Sequence, residues 1–395
     1  MSSFNKKILS KELATASLLA SLLASASAHS VTIGTFDNTT VDIGGYVKLD
    51  AMLSNFSEGP VGTGIGRDFY VPSLTPVSGA AADSENTYFD MHARQTRINF
   101  ATNSEIDDHK LKTYIELDFM VTPNGDERIS NSYSPRLRHA FIKFDHWLFG
   151  QTWSTFQNTA SLPESVDFIG NTDAGIFIRQ PQIRYTSGGF QFSIENPETT
   201  VTDGGRVVSD DNEWPDLVGR YNLKSENLSL AAAALLRQLT YNSTGTGGSV
   251  DDSESAYGVS ITGKLMLGKD DIRFGINSGS GMGRYIGLNV SNGANINANN
   301  ELEAIDSTGV FASYRHMWNS KWRSNLMYSR IDIDNNTALS GNGSTKATYS
   351  ARINLFYSAT DKITFGGELA HANREVESGA DGNMDRLQFT AKMAF

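Results

Sequence analysis

The chain ends in an alternation. Leu387, Phe389, Ala391, Met393 and Phe395 share one parity, while Arg386, Gln388, Thr390 and Lys392 share the other. Side chains alternate across a strand with period two, so this segment predicts a strand with one apolar and one polar face. A single strand of this kind fits a soluble sheet equally well. The same pattern, however, recurs along the whole chain and predicts sixteen strands: Gly45–Met52, Tyr88–Ala101, Lys110–Val121, Pro135–Phe144, Trp147–Trp153, Pro181–Thr186, Phe190–Asn196, Leu217–Leu223, Leu228–Arg237, Ala256–Leu267, Asp271–Asn277, Ser307–Met317, Lys321–Asp332, Ala347–Ser358, Lys362–Asn373 and Asp385–Phe395.

The connections fall into two classes. Asp145-His146, Ser187-Gly188-Gly189, Ser225-Glu226-Asn227, Gly268-Lys269-Asp270, Asn319-Ser320 and Thr360-Asp361 are tight turns with turn chemistry. The alternate connections are longer and rich in Gly, Asn, Ser and Asp. Short turns on one rim and long loops on the other describe an all-β fold, a sixteen-stranded antiparallel transmembrane β-barrel. An even strand number puts both chain ends on the short-turn, periplasmic side.

Residues 1–28 read as a removable leader. Lys6, Lys7 and Lys11 precede an apolar stretch from Leu13 to Leu23, and Ala26-Ser27-Ala28 closes it as a cleavage pattern. The barrel domain is then expected over 29–395. Without the leader the chain is more acidic than its overall net charge of −11, a balance that repels nucleic acid. With no cysteine, an exported fold must hold without disulfides. No later apolar run reaches the roughly 18 residues of a membrane helix.

On this reading one parity faces lipid. Its stripes include Leu111, Ile115, Leu117 and Phe119; Tyr257, Val259, Ile261, Leu265 and Leu267; Ile272, Phe274 and Ile276; and Tyr349, Ile353, Leu355 and Tyr357. Trp147, Trp153, Trp318, Trp322 and Tyr328 near strand ends suit the aromatic girdles. The other parity lines the lumen and is basic: Arg97, Lys112, Lys143, Arg184, Arg220, Arg237, Lys264, Arg273, Arg323, Arg352, Arg386 and Lys392, against Glu116, Asp118, Glu195 and Glu368. Fixed charge in a narrow low-dielectric channel concentrates counter-ions, and rings of Arg and Lys select anions. Arginine also pairs with carboxylate through a planar fork. The alternative is a solvated wall neutralised by loop acids.

The segment Ser154–Gln180, the third long connection, mixes Phe156, Leu162, Phe168, Ile169 and Phe177 with Glu164, Asp167, Asp173 and Arg179. Folding it into the lumen would bury the apolar groups and set Glu164, Asp167 and Asp173 against the wall arginines, making a transverse field at a constriction. The alternative is an external lid or subunit-contact loop.

Other chemistries leave little trace. The seven histidines form no H-x-x-x-H pair, and there is no G-x-S-x-G and no P-loop, so no cofactor is expected. Asp210-Asp211 and Asp251-Asp252 offer calcium-type oxygens but read more simply as solvated loop acids. Two other classes compete with a channel: a barrel enzyme working at the rim, for which His92 and His139 are available, and a plugged structural or adhesive barrel. Single-channel current separates them, since a plugged barrel or a rim enzyme should conduct little.

Several segments carry a family resemblance: Gly44-Gly45-Tyr46-Val47-Lys48, Ala93-Arg94-Gln95-Thr96-Arg97-Ile98-Asn99-Phe100, Phe149-Gly150-Gln151-Thr152-Trp153-Ser154-Thr155-Phe156, Arg179-Gln180-Pro181-Gln182-Ile183-Arg184-Tyr185 and the terminal Phe395. With them the chain resembles Gram-negative porins and, more narrowly, the DcaP-like porins. The resemblance implies a trimeric sixteen-stranded channel narrowed by its third loop and preferring small anions, dicarboxylates among them. It carries pore arginines over to Arg97, Arg179 and Arg184. It also implies contact with outer-membrane lipid and with the barrel-assembly machinery through the strand ending in Phe395. Some members have an N-terminal helical coiled-coil extension. Only about fifteen residues separate His29 from the first expected strand here, so no stalk is expected.

Overall fold

The computed structural model describes residues 30–79, 84–121, 130–245 and 248–395. The expected leader therefore lies outside the described residues.

The chain forms the following strands: β1 (Ser30–Phe36), β2 (Thr39–Phe56), β3 (Asn86–His92), β4 (Arg97–Ile106), β5 (His109–Asp118), β6 (Arg136–Phe144), β7 (Trp147–Trp153), β8 (Arg179–Ser187), β9 (Phe190–Glu195), β10 (Thr199–Thr202), β11 (Arg206–Ser209), β12 (Asp216–Lys224), β13 (Leu228–Gly245), β14 (Gly248–Leu267), β15 (Asp270–Ser280), β16 (Ala294–Ile296), β17 (Leu302–Ala304), β18 (Asp306–Met317), β19 (Trp322–Asp334), β20 (Thr345–Ser358), β21 (Ile363–Val376) and β22 (Asp381–Ala394). Every strand of the wall pairs antiparallel with its neighbour. β22 closes the ring by pairing with β2 from Tyr46↔Ala394 to Phe56↔Met384. Leaving out β1, which pairs only with the first half of β2, and counting β3 and β4 as one interrupted strand, the wall has the sixteen expected. Closure leaves no unpaired edge in the membrane, the condition under which strands can span lipid.

The apolar parity faces out. Phe389, Leu369, Ile353 and Ile115 are 56%, 56%, 53% and 47% exposed, whereas Arg386 and Gln388 of the same hairpins are buried inside. Trp147, Trp318, Trp322 and Tyr328 also face outward. Trp153 does not: it lies in the interior against Phe177, with ring centroids 4.8 Å apart. It is the last residue of β7 and turns in with the connection that follows. Replacing the lipid-facing Phe389 by Arg should destabilise the barrel by about 2–4 kcal/mol, the cost of a cation at the bilayer midplane. Urea unfolding in lipid vesicles is the measurement, and Thr390→Arg on the opposite face should cost far less.

Three features depart from the sequence expectation. β2 starts at Thr39, and its first half pairs with β1 and with β4, so a hairpin extends the wall at the short-turn rim where a short linker was expected. At the point where β2 exchanges β1 for β22, Gly45 has φ +148 and sits so close to β4 that a Cβ would fall 2.1 Å from the Arg97 carbonyl oxygen. The β13–β14 hairpin runs on to Gly245 and Gly248, well past Arg237. Beyond the bilayer no lipid enforces alternation, so the pattern fades although the ladder continues. Finally, β10, β11, β16 and β17 form a separate four-stranded sheet in the order β11-β10-β16-β17 on the long-loop side.

Neighbouring tight turns brace one another. In the Asp145 turn, the carboxylate accepts the Lys110 N–H at 2.9 Å and a His109 ring nitrogen at 2.8 Å. These bonds hold the Asp145 carboxyl below the usual carboxylate range, the backbone bond contributing most.

Candidate functional site: the pore constriction

The third connection (154–178) crosses the interior, and the wall arginines tie it down. Buried backbone needs partners, and a guanidinium offers five donors in a fixed fork. Arg352 Nη1 donates to Asp167 Oδ2 at 2.8 Å and to Glu368 Oε1 at 3.2 Å, with side chains only 1% exposed on both sides of each pair. Glu368 also accepts the Val166 N–H at 2.9 Å. Arg323 grips Glu164 with two bonds of 2.8 and 2.5 Å. Asp173 is fully buried and accepts the hydroxyls of Tyr70 (2.7 Å), Thr348 (2.7 Å) and Ser350 (2.5 Å). Lys48 donates to the Val166 carbonyl at 2.9 Å. Glu164, Asp167 and Asp173 are thus fastenings rather than free charges.

Most of the arginines expected to meet solute are likewise engaged. Arg220 Nη1 donates to the Gln157 carbonyl at 2.5 Å, Arg184 to the Trp153 carbonyl, and Arg273 to the Leu162 carbonyl and to Asp271. Arg237 reaches the Glu198, Gly281 and Met282 carbonyls. Arg386 donates to Gly66 O at 3.1 Å, holding the first long connection. Arg184, Arg220, Arg237, Arg273, Arg323, Arg352 and Arg386, expected from the sequence to line the pore and bind anions, thus each hold a carbonyl or carboxylate of the protein. An irregular segment inside a barrel leaves carbonyls unpaired, and Arg184, Arg220, Arg237, Arg273 and Arg386 satisfy several of them.

A cavity of about 240 Å³ opens beside these contacts. Lys48, Arg97, Arg138 and Lys392 supply its cations, and Tyr46, Trp153, Phe168, Phe177 and Phe356 its aromatic surface. The acids that border it are held: Glu164 by Arg323, Asp167 by Arg352, and Glu116 by Arg138 at 2.7 Å. Lys392 has no carboxylate within 4.0 Å among the described residues and lies 5.3 Å over the Tyr46 ring. Arg97 lies 5.2 Å over the same ring and 3.5 Å from Glu116. Arg179 stacks on Trp153 at 4.4 Å. Its Nη1 is buried without a hydrogen-bond partner among the described residues. Lys143 faces the lumen nearer the short-turn rim, opposite Lys112.

Arg136 and Arg138 escape a strict parity reading. A bulge sets His139 opposite Glu116 but Leu137 opposite Leu117, so the alternation restarts and both arginines turn inward, onto Asp118 at 2.8 and 2.9 Å. A similar break at residues 93–96, where Thr96 N bonds Ala93 O at 3.0 Å, lets β3 and β4 present opposite parities to the lumen. The wall also turns in Lys48 and Arg315 and the acids Asp50, Asp90, Asp216 and Asp271, so its charge is more mixed than the alternation alone implies. His92 and His139 are interior, 6% exposed, and bonded to Asp68 O and Thr152 Oγ1. Of the loop acids, Asp211 accepts Ser209 Oγ and Asp252 accepts the Leu302 N–H.

A closed barrel with an apolar outer face and a charged, partly open lumen is an outer-membrane channel of the porin class. The DcaP outer membrane protein profile matches residues 35–395, and the chain belongs to that family. Among solved structures it is similar to the outer membrane channel DcaP of Acinetobacter baumannii, at 23% identity and TM-score 0.76, covering 92% of this chain and 100% of that one. It is also similar in fold to a loop-deletion form of OmpT of Vibrio cholerae, at 11% identity and TM-score 0.58, covering 91% and 100%. The anion-selective porin from Comamonas acidovorans gives 11% identity and TM-score 0.57, covering 90% and 100%. Comparison with curated protein sequences gave no match.

Proposed function

We propose that this porin carries out passive, anion-preferring diffusion of small negatively charged solutes, dicarboxylates among them. The observation that carries the reading is the constriction cavity. Its bordering carboxylates are each held by a guanidinium, whereas Lys392 and the neighbouring Arg179 have no carboxylate partner among the described residues. An anion entering it meets uncompensated positive charge beside aromatic faces, binding that is attractive but shallow enough for exit. The similar porin from Comamonas acidovorans is anion-selective, and OmpT of Vibrio cholerae has a trimer form. Both agree with an anion-preferring homotrimer here. Translocation involves no bond chemistry and no energy coupling.

In planar bilayers under a KCl gradient, the reversal potential of the wild-type protein should take the sign of chloride preference. Succinate or another short dicarboxylate should reduce chloride current more than the matching monocarboxylate. A cation-signed potential would overturn the reading.

A further inference from the structure

The connection between β15 and β18 also enters the lumen. Tyr285 is fully buried, donates its hydroxyl to Asp216 Oδ2 at 2.8 Å and accepts from Gln180 Nε2 at 2.6 Å. Arg237 clamps the entry of the segment through the Gly281 and Met282 carbonyls, both at 3.3 Å. Met282, Ile286 and Val290 then pack with Phe156 and Ile176 of the third connection onto Val218, Leu235 and Ile331 of the wall. Those wall residues sit on the lumen-facing parity yet are apolar, which a water-filled barrel would not favour. They are apolar because this segment covers them. The two inward segments also join: Ile176 bridges Ile286, and Gly287 N donates to Gly175 O at 3.2 Å. The constriction cavity is lined by β2, β4–β7, β20–β22 and the third connection, and no residue of 281–305 lines it.

We propose that residues 282–290 form a second constriction element, and that they, together with the third connection, set the largest solute the channel passes. The segment makes one side of the lumen a dry core and confines conduction to an eccentric path along β2, β4–β6 and β22. This inference rests on the channel reading above and adds to it the element that limits solute size.

The test is to replace 286–292 by a short Gly-Ser linker in the full chain. Single-channel conductance and exclusion of graded polyethylene glycols are then compared with wild type, and folding is verified by heat-modifiable migration in gel electrophoresis. Conductance should rise roughly twofold, because it follows open cross-section, and larger polymers should enter. A second variant, Ile286→Ala with Val290→Ala, leaves the chain length and all wall strands intact and should shift both readouts the same way, more weakly. A folded replacement with unchanged conductance and polymer cut-off overturns the proposal. So does failure of both variants to form a heat-modifiable barrel, which would make the segment a folding core rather than a filter. A wild-type protein that carries no current would instead defeat the channel reading itself.

Discussion

Changing Arg352 to alanine is expected to release the third connection from the barrel wall. Arg352 bridges Asp167 of that connection to Glu368 of β21 in a site from which water is nearly excluded. Removing one partner of a buried ion pair leaves its carboxylates uncompensated, at a cost of about 3–5 kcal/mol. Two carboxylates would then face each other with little solvent between them. The barrel ladder does not depend on this contact, so the loss should fall on the loop. Limited proteolysis should cut the variant, but not the wild type, within 160–170, and single-channel recordings should show higher and noisier conductance. Arg323→Ala, which loosens Glu164, should act in the same direction but more weakly, because that pair is partly exposed. An unaltered cleavage pattern with quiet, wild-type conductance would rule out the fastening role. The sequence alone recommends Arg352 as a test of ion selectivity; its setting makes it a test of loop anchoring.

Selectivity should instead respond at Lys392, which lines the cavity and holds no loop, and at Arg179, which stacks on the cavity's Trp153. Lys392→Glu combined with Arg179→Glu is expected to move the reversal potential toward cation preference. At roughly 5 Å, reversing a charge in a water-containing channel changes an ion's energy by about 1–2 kcal/mol, hence roughly tenfold in the chloride-to-potassium permeability ratio. Arg97→Glu should add to this, though it also disturbs the contact with Glu116. Lys143→Glu, nearer the short-turn rim, should change the ratio less. Equal reversal potentials for wild type and the Lys392–Arg179 double variant would contradict the assignment of these side chains to the ion path.

The sequence supplied the barrel because lipid imposes a strict rule. Leu387, Phe389 and Met393 must face hydrocarbon and Arg386 and Gln388 must not, so composition and register are coupled at every second residue of every strand. That rule lapses wherever lipid is absent. It lapses in the outer part of the β13–β14 hairpin, in the β1–β2 extension and in the β10, β11, β16, β17 sheet, and those are the elements the alternation left unread. It also lapses where the backbone resets, as at the bulge beside Arg138 and the break at 93–96, because one added residue exchanges the two faces without changing the amino acids.

The inward parity carries less information still. It says that Arg352, Arg220 and Lys392 point into the barrel and nothing about what meets them there. Two of those three fasten a loop and one borders the pore, a division decided by contacts such as Arg352 to Asp167, 185 residues apart in the chain. The alternation by itself therefore determined the closed wall, which face of each strand meets lipid and the sign of many of its inner side chains, since lipid reads each strand locally. Only the tertiary structure decided which cations remain open to a solute and which side of the lumen is dry. Those outcomes depend on how two long connections pack against the wall and against each other, and no local period encodes that.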